Sequence, residues 1–400
     1  MKRVLVITNR YPCDADDPAS PFVPHFVHAL SSCGLAVEVL TPRYTHRPPC
    51  VEPDYIHRFH TGASSPVGSW NLMSPASWIR LRKFVAAGHD LGRQLCRKNH
   101  YDHILALWAL PSGEFANRLS KEFKIPYSTW CLGSDIYSWA RRPVIKGQIA
   151  RVLRESTHVF ADGYDLCERV KNWLGIECRF LPSFRPLDGA LPDLPPGANL
   201  APRYLYLGRL HSAKGTSELL DAFRTVAEKL PGATLSIVGD GPDLARLRNQ
   251  AQQLCLGDAV SFAGPVGRNE ITAAYRQCDF VVIPTKSDSL PLVFSEAIQA
   301  RRPVIGTDVG DLGAFIRRFH VGIVCDAAEP ALLSAAMIRM ADQPVFSGEG
   351  RERLLKLLDP KAAAMAFCAS VFGAPFAPVE PPSPRERIET AIDDSVAAHS

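Results

Sequence analysis

Tyr204-Leu205-Tyr206-Leu207-Gly208-Arg209-Leu210-His211-Ser212-Ala213-Lys214-Gly215 is the stretch that decides the fold. Its first four residues are apolar and bounded by a glycine, as in a short buried strand. Two cations follow, and Gly215 comes just before Glu218–Leu230, where Leu219, Leu220, Phe223, Val226 and Leu230 share one helical face. A strand, a glycine-bearing turn and a helix make one step of a parallel α/β sheet, whose ligands bind beyond the carboxyl ends of the strands. An arginine there can grip a phosphate through two parallel N–H bonds, and a lysine adds a mobile point charge. The spacing is not that of a Walker loop. Two surface cations around a plain turn are the alternative.

The same alternation runs through the chain. Val4–Thr8, Ala36–Leu40, His103–Leu107, Tyr127–Trp130 and His158–Ala161 read as strands of a first half, with helices over Phe22–Ser32 and Ser77–Lys98. Leu235–Val238, Val260–Phe262, Phe280–Ile283 and Pro303–Gly306 continue the second half, with a further helix after Pro242-Asp243. The expected fold class is therefore α/β, with two Rossmann-like domains facing each other across a cleft. The first spans 1–185, a proline-rich linker 186–202, the second domain 203–370, and a proline-rich, flexible tail 371–400.

Composition narrows the class. Hydrophobic content of 46% and charged content of 22% suit a globular chain, and 400 residues exceed one ordinary core. Residues 1–185 carry 24 Lys/Arg against 16 Asp/Glu, whereas 186–400 carry 21 against 25. A basic front and a mildly acidic back suggest different partners for each. Eleven cysteines are scattered without a Cys-x-x-Cys pair, which argues for reduced thiols in the cytoplasm and against a zinc site. The apolar run after Met1-Lys2-Arg3 is too short for a signal peptide, and no segment approaches a membrane span. Trp70–Lys98 mixes aromatic and basic residues, which fits either contact with an anionic membrane or a core-packed helix with a basic outer face. Asp14-Ala15-Asp16-Asp17 lacks the companions of a metal site, so no metal is expected.

Ser287-Asp288-Ser289-Leu290-Pro291-Leu292-Val293-Phe294-Ser295-Glu296-Ala297 follows the strand Phe280–Ile283. Asp288 falls in a loop and Glu296 inside the next helix, whose first-turn amides can receive phosphate oxygens. Cations for a diphosphate beside carboxylates for hydroxyls point to a nucleotide-activated sugar. An exposed loop aspartate and a solvated helical glutamate are the alternative. Gly239-Asp240-Gly241-Pro242 reads as a tight turn, and Thr307–Gly313 as a turn or a loop near the ligand. In the front half, Trp130-Cys131-Leu132-Gly133-Ser134-Asp135 follows a strand, and Gly133 and Asp135 are the candidates for the acceptor side of the cleft.

Taken in order, these motifs resemble the retaining glycosyltransferases of family 4, which have the two-domain GT-B fold. The resemblance reaches to about Ser370 and is strongest from Tyr204 to Ala314. It implies that Arg209 and Lys214 hold the donor diphosphate and that Asp288 contacts the transferred sugar. It further implies that Glu296 binds the ribose and that the region of Val266 contacts the base. Gly208, Leu290, Leu292 and Val293 complete the donor side. The family usually has glutamate at the position of Asp288 and glycine at that of Ser289. Leu132 stands where many relatives carry histidine, and the histidine near Ala106–Trp108 is missing. The implied reaction moves a sugar from a nucleoside diphosphate donor, UDP ahead of GDP, to an acceptor hydroxyl of a cell-envelope polysaccharide, lipopolysaccharide or glycolipid. It needs no metal cofactor and no nucleic acid. An epimerase on the same fold and a silent nucleotide-sugar-binding protein are the competing readings.

Overall fold

The structure is a computed structural model that describes residues 1–13, 17, 20–44, 53–62, 75–189 and 201–373. It divides into two compact units, the first formed by residues up to Phe184 together with a segment beginning at Asp359, the second starting at Arg185 and ending at Leu358. Both are parallel-sheet, Rossmann-like α/β units, as the alternation of apolar runs predicts.

Unit 1 contains β1 (Arg3–Ile7), β2 (Ala36–Arg43), β3 (Ile56–His60), β4 (His103–Leu107), β5 (Tyr127–Cys131), β6 (His158–Ala161) and β7 (Arg179–Phe180). They are ordered β3-β2-β1-β4-β5-β6-β7, so the order reverses between β1 and β4. Around them lie α1 (Phe22–Ser32), α2 (Pro75–Lys98), α3 (Ser112–Phe123), α4 (Ser134–Tyr137), α5 (Pro143–Glu155) and α6 (Tyr164–Leu174). Pro24 is tolerated in α1 because first-turn amides have no intrahelical acceptor. The α2 helix buries Phe84, Gly88, Gly92 and Leu95 and leaves Ile79, Arg80, Arg82 and Lys83 exposed. This is the core-packed arrangement with a basic outer face. The start of the Trp70–Lys98 stretch, residues 70–74, lies outside the described residues, as do residues 14–16 of the aspartate run.

Unit 2 repeats the plan with β8 (Arg203–Leu207), β9 (Thr234–Val238), β10 (Val260–Gly264), β11 (Phe280–Ile283), β12 (Val304–Thr307) and β13 (Gly322–Cys325). The order β10-β9-β8-β11-β12-β13 puts the reversal between β8 and β11. Its helices are α7 (Thr216–Lys229), α8 (Leu244–Gln253), α9 (Arg268–Gln277), α10 (Leu292–Gln299), α11 (Leu312–Phe319), α12 (Pro330–Asp342) and α13 (Gly348–Leu358). On α7 the expected stripe Leu219, Leu220, Phe223 and Val226 is fully buried, and it meets Leu235, Ile237 and Met337 in one core.

The last helix, α14 (Pro360–Phe372), corrects the expected span of 203–370 for the second domain, because it packs with unit 1. Asp359 starts it sharply by accepting the amides of Lys361 and Ala362, with Pro360 in the first turn. Its Phe367 ring lies 6.3 Å from Phe26 of α1 and 5.7 Å from Phe160. The linker segment 190–200 and the tail from 374 lie outside the described residues.

Phe367 and Phe372 also cover His103, 6.0 and 6.1 Å away between ring centroids. His103 is 2% exposed and its Nε2 lies 2.8 Å from Ser128 Oγ. Burial, with His158 nearby, pushes its pKa down from 6.5 to about 3. Below pH 6.5 the unfolded chain therefore takes up a proton that the native fold refuses, and acid destabilises unit 1. Between pH 7 and pH 5 this group alone removes about 2 kcal/mol. In urea titrations at these two pH values, His103→Gln is expected to lose about 2 kcal/mol less than the parent. Equal losses would refute the account.

Candidate functional site

The candidate site stands at the carboxyl ends of β8 and β11, the point in unit 2 where the strand order reverses. Gly208 follows β8, its amide bonded to Val238 O at 3.0 Å. Arg209 follows and is exposed, and among the described residues its guanidinium has no hydrogen-bond or ion-pair partner. The Tyr206 hydroxyl donates to the Arg209 carbonyl at 3.0 Å and fixes the backbone beneath this side chain. Burial pushes the Tyr206 phenol up to about 12, so it stays a donor at neutral pH.

Ser212–Lys214 form a short 3-10 turn, capped by His211, whose Nδ1 accepts the Ala213 amide at 3.2 Å. Accepting at Nδ1 puts the neutral imidazole's proton on Nε2. The turn is stitched to the loop after β11, because Lys286 N donates to Ala213 O at 2.8 Å. Gly215 makes this approach possible: its φ is +71°, and a Cβ there would stand 1.8 Å from Pro284 O. Stitching the two loops brings Lys214 Nζ within 2.5 Å of Asp288 Oδ2. From the other side, the loop after β12 supports Asp288. Asp311 N donates to Ser289 O at 3.0 Å, and a Cβ on Gly310 would stand 2.5 Å from Asp288 O.

Lys214 and Asp288 therefore meet beyond the carboxyl ends of the two central strands, and Arg209 follows β8 at the same end of the sheet. Leu290 is buried, while Leu292 and Val293 open α10 and are partly exposed. The first amides of this helix carry partial positive charge toward the same loop. Val266, two residues past β10, is partly exposed after its own strand end.

Two expected residues are placed differently. Glu296 is 1% exposed, and one carboxylate oxygen is ion-paired with Arg185. The other accepts from the Tyr275 hydroxyl at 3.0 Å. Its charge is met inside the protein, and the neighbouring Gln299 binds the Arg185 carbonyl and the Leu187 amide, each at 2.9 Å. In unit 1, Asp135 faces inward rather than toward an acceptor. It is wholly buried, and it accepts the amides of Ala109, Leu132 and Ile136 at 3.0, 3.3 and 3.2 Å. Gly133, at a φ of +91°, starts the short helix that carries it. Burial raises the Asp135 carboxyl to about 6 despite those amides, which hold it down. Its work is to close the turn after β5.

Sequence reasoning missed Arg185, Tyr206, His211 and Tyr275. Arg185 and Tyr275 come from distant segments, and no local pattern announces either one. Among the described residues, no group of three or more His, Cys, Asp or Glu could hold a metal ion, and no helix is long and apolar enough to cross a membrane.

Residues 199–356 match the family of glycosyl transferases group 1. TuaC of Bacillus subtilis (strain 168), named as a teichuronic acid biosynthesis glycosyltransferase, is 26% identical over 372 residues, which is 87% of this chain and 91% of its own. Among solved structures, sucrose-phosphate synthase from Thermosynechococcus elongatus superposes with a TM-score of 0.75 at 20% identity, covering 92% of this chain and 97% of the other. Anabaena HepE, solved with UDP and glucose, gives 0.68 at 14% identity over 94% and 100%. The family match and TuaC support a glycosyltransferase of the group 1 type, and the solved structures show the fold.

Proposed function

We propose that the protein transfers a sugar, with retention, from a nucleoside diphosphate sugar to an acceptor hydroxyl in cell-envelope polysaccharide, lipopolysaccharide or glycolipid synthesis. The observation that carries this reading is the meeting of Lys214 and Asp288, with Arg209 following β8, where the strand order of unit 2 reverses. Cleaving the anomeric bond builds negative charge on the leaving diphosphate. Arg209, Lys214 and the first amides of α10 would stabilise that charge more than they stabilise the bound donor. The departing phosphate oxygen can take the acceptor proton, so no protein base is required. The cations supply the charge that a metal would otherwise bring, which suits a metal-independent reaction. Asp288 would receive a sugar hydroxyl, and the backbone around Val266 would meet the base.

UDP is the preferred carrier in this reading, with GDP next. The basic front half fits an acceptor held at an anionic surface on the inner face of the cytoplasmic membrane, with Ile79 and its basic neighbours on α2 touching that surface.

The test is a thermal-shift panel of UDP-, GDP- and ADP-sugars, followed by transfer assays with the donor that binds. Ligand at 100 times its Kd stabilises by about 2.7 kcal/mol, so a true donor moves the melting curve by several degrees. No shift with any nucleotide at millimolar concentration would end the proposal. An isomerised donor formed without acceptor would replace it with the epimerase reading.

A further inference from the structure

The two residues with opposite duties toward the donor are joined to each other. Lys214, assigned to the diphosphate, is in an ion pair with Asp288, assigned to the sugar. Arg209, five positions away, has no such partner among the described residues. The Lys214 and Asp288 side chains are 33% and 25% exposed, so the pair stands at the surface of the site where a ligand can reach it. A partly exposed pair of this kind is weakly held, and a doubly charged diphosphate competes well for the ammonium. The lysine stem is flexible enough to turn from one anion to the other.

We propose that Asp288 occupies Lys214 until a diphosphate takes the ammonium over, which frees the carboxylate to receive the sugar. The inference rests on the donor-site reading above and makes Asp288 a positioning residue for Lys214 as well as a sugar contact. Donor recognition then has an order. The diphosphate docks first on Arg209, whose backbone Tyr206 holds still, and Lys214 follows. Sugar binding depends on that exchange, so a sugar without its diphosphate finds Asp288 engaged. The backbone around Asp288 does not need to move, since the Gly310 loop braces it on one side and the Lys286–Ala213 bond fastens its loop on the other.

The test uses the full chain and the variants Asp288→Asn, Lys214→Ala and the double substitution. Calorimetry with UDP, GDP and inorganic pyrophosphate measures affinity for the phosphate group. Acetylation of lysines before any nucleotide is added, followed by peptide mass spectrometry, measures how free Lys214 is. Asp288→Asn is expected to bind the diphosphate about fivefold more tightly and to acetylate faster at Lys214. In the Lys214→Ala background, Asp288→Asn should bring no gain. Unchanged affinity in Asp288→Asn would overturn the inference. So would a gain that persists without Lys214, or a Lys214 acetylation rate indifferent to Asp288. If nucleotides bind parent and Asp288→Asn alike, the donor-site reading stands and the exchange falls. If only pyrophosphate binds, and binds better through Lys214 in Asp288→Asn, the exchange stands and the nucleotide-sugar reading falls.

Discussion

Glu296→Ala is expected to lower the melting temperature of unit 2 by about 10 °C. Arg185 and Glu296 are 11% and 1% exposed at their side chains, so both charges have left water and depend on one another. Removing one partner strands the other, at a cost of about 3–5 kcal/mol. A unit of this size loses about 2–4 °C per kcal/mol. Tyr275 deepens the loss, because its buried hydroxyl would be left without its carboxylate acceptor. In the parent, burial and then the Glu296 charge hold that phenol well above its ordinary range, so it is a neutral donor to the carboxylate. Calorimetry of the single variant gives the answer. Pairing it with Arg185→Met should recover most of the loss, since an apolar pair removes the stranded charge. A shift below about 2 °C for the single variant would show that the pair carries little of the fold.

Arg209→Ala should leave the fold alone and slow transfer by about 100-fold. Its side chain is exposed and unpaired among the described residues, so truncation falls within about 0.5 kcal/mol of neutral stability. Its proposed target is a charge that grows during the reaction, and losing one such contact removes about 3 kcal/mol from the transition state. The measurement is kcat and KM with the donor identified by the nucleotide panel. A fall in kcat at constant melting temperature supports the assignment. A change in KM alone would make Arg209 a binding contact shared equally by ground and transition states.

The parts of the molecule legible in the sequence are those encoded by local period. Val4–Ile7, Tyr204–Leu207 and Phe280–Ile283 are continuous apolar runs and became inner strands, and the α7 stripe became a buried face. Three strands escaped for physical reasons. In β3, Ile56-His57-Arg58-Phe59-His60, polar residues interrupt the apolar signal, and β7 has two residues. The four-residue β13 begins on a glycine just after a turn.

The candidate site divides along the same line. The placement of Arg209, Lys214 and Asp288 in loops after β8 and β11 was readable because the strands before them are plain apolar runs. The burial of Glu296 and Asp135 was not readable, because the groups that surround them come from elsewhere in the chain. Arg185 lies 111 positions before Glu296, and the Ala109 amide comes from 26 positions before Asp135. The Lys214–Asp288 contact spans 74 positions and needed both loops folded to be seen.

The homecoming of α14 to the first unit has a consequence for how the polypeptide is made. A ribosome that has completed Phe184 has delivered every strand of the first sheet, yet the residues that cap His103 are encoded far downstream, at 360–372. At about 5–20 residues per second, that wait is on the order of tens of seconds. During it the nascent module must survive with Phe26 and Phe160 lacking Phe367 beside them. A premature stop just before Pro360 would therefore injure the half of the protein that was translated first.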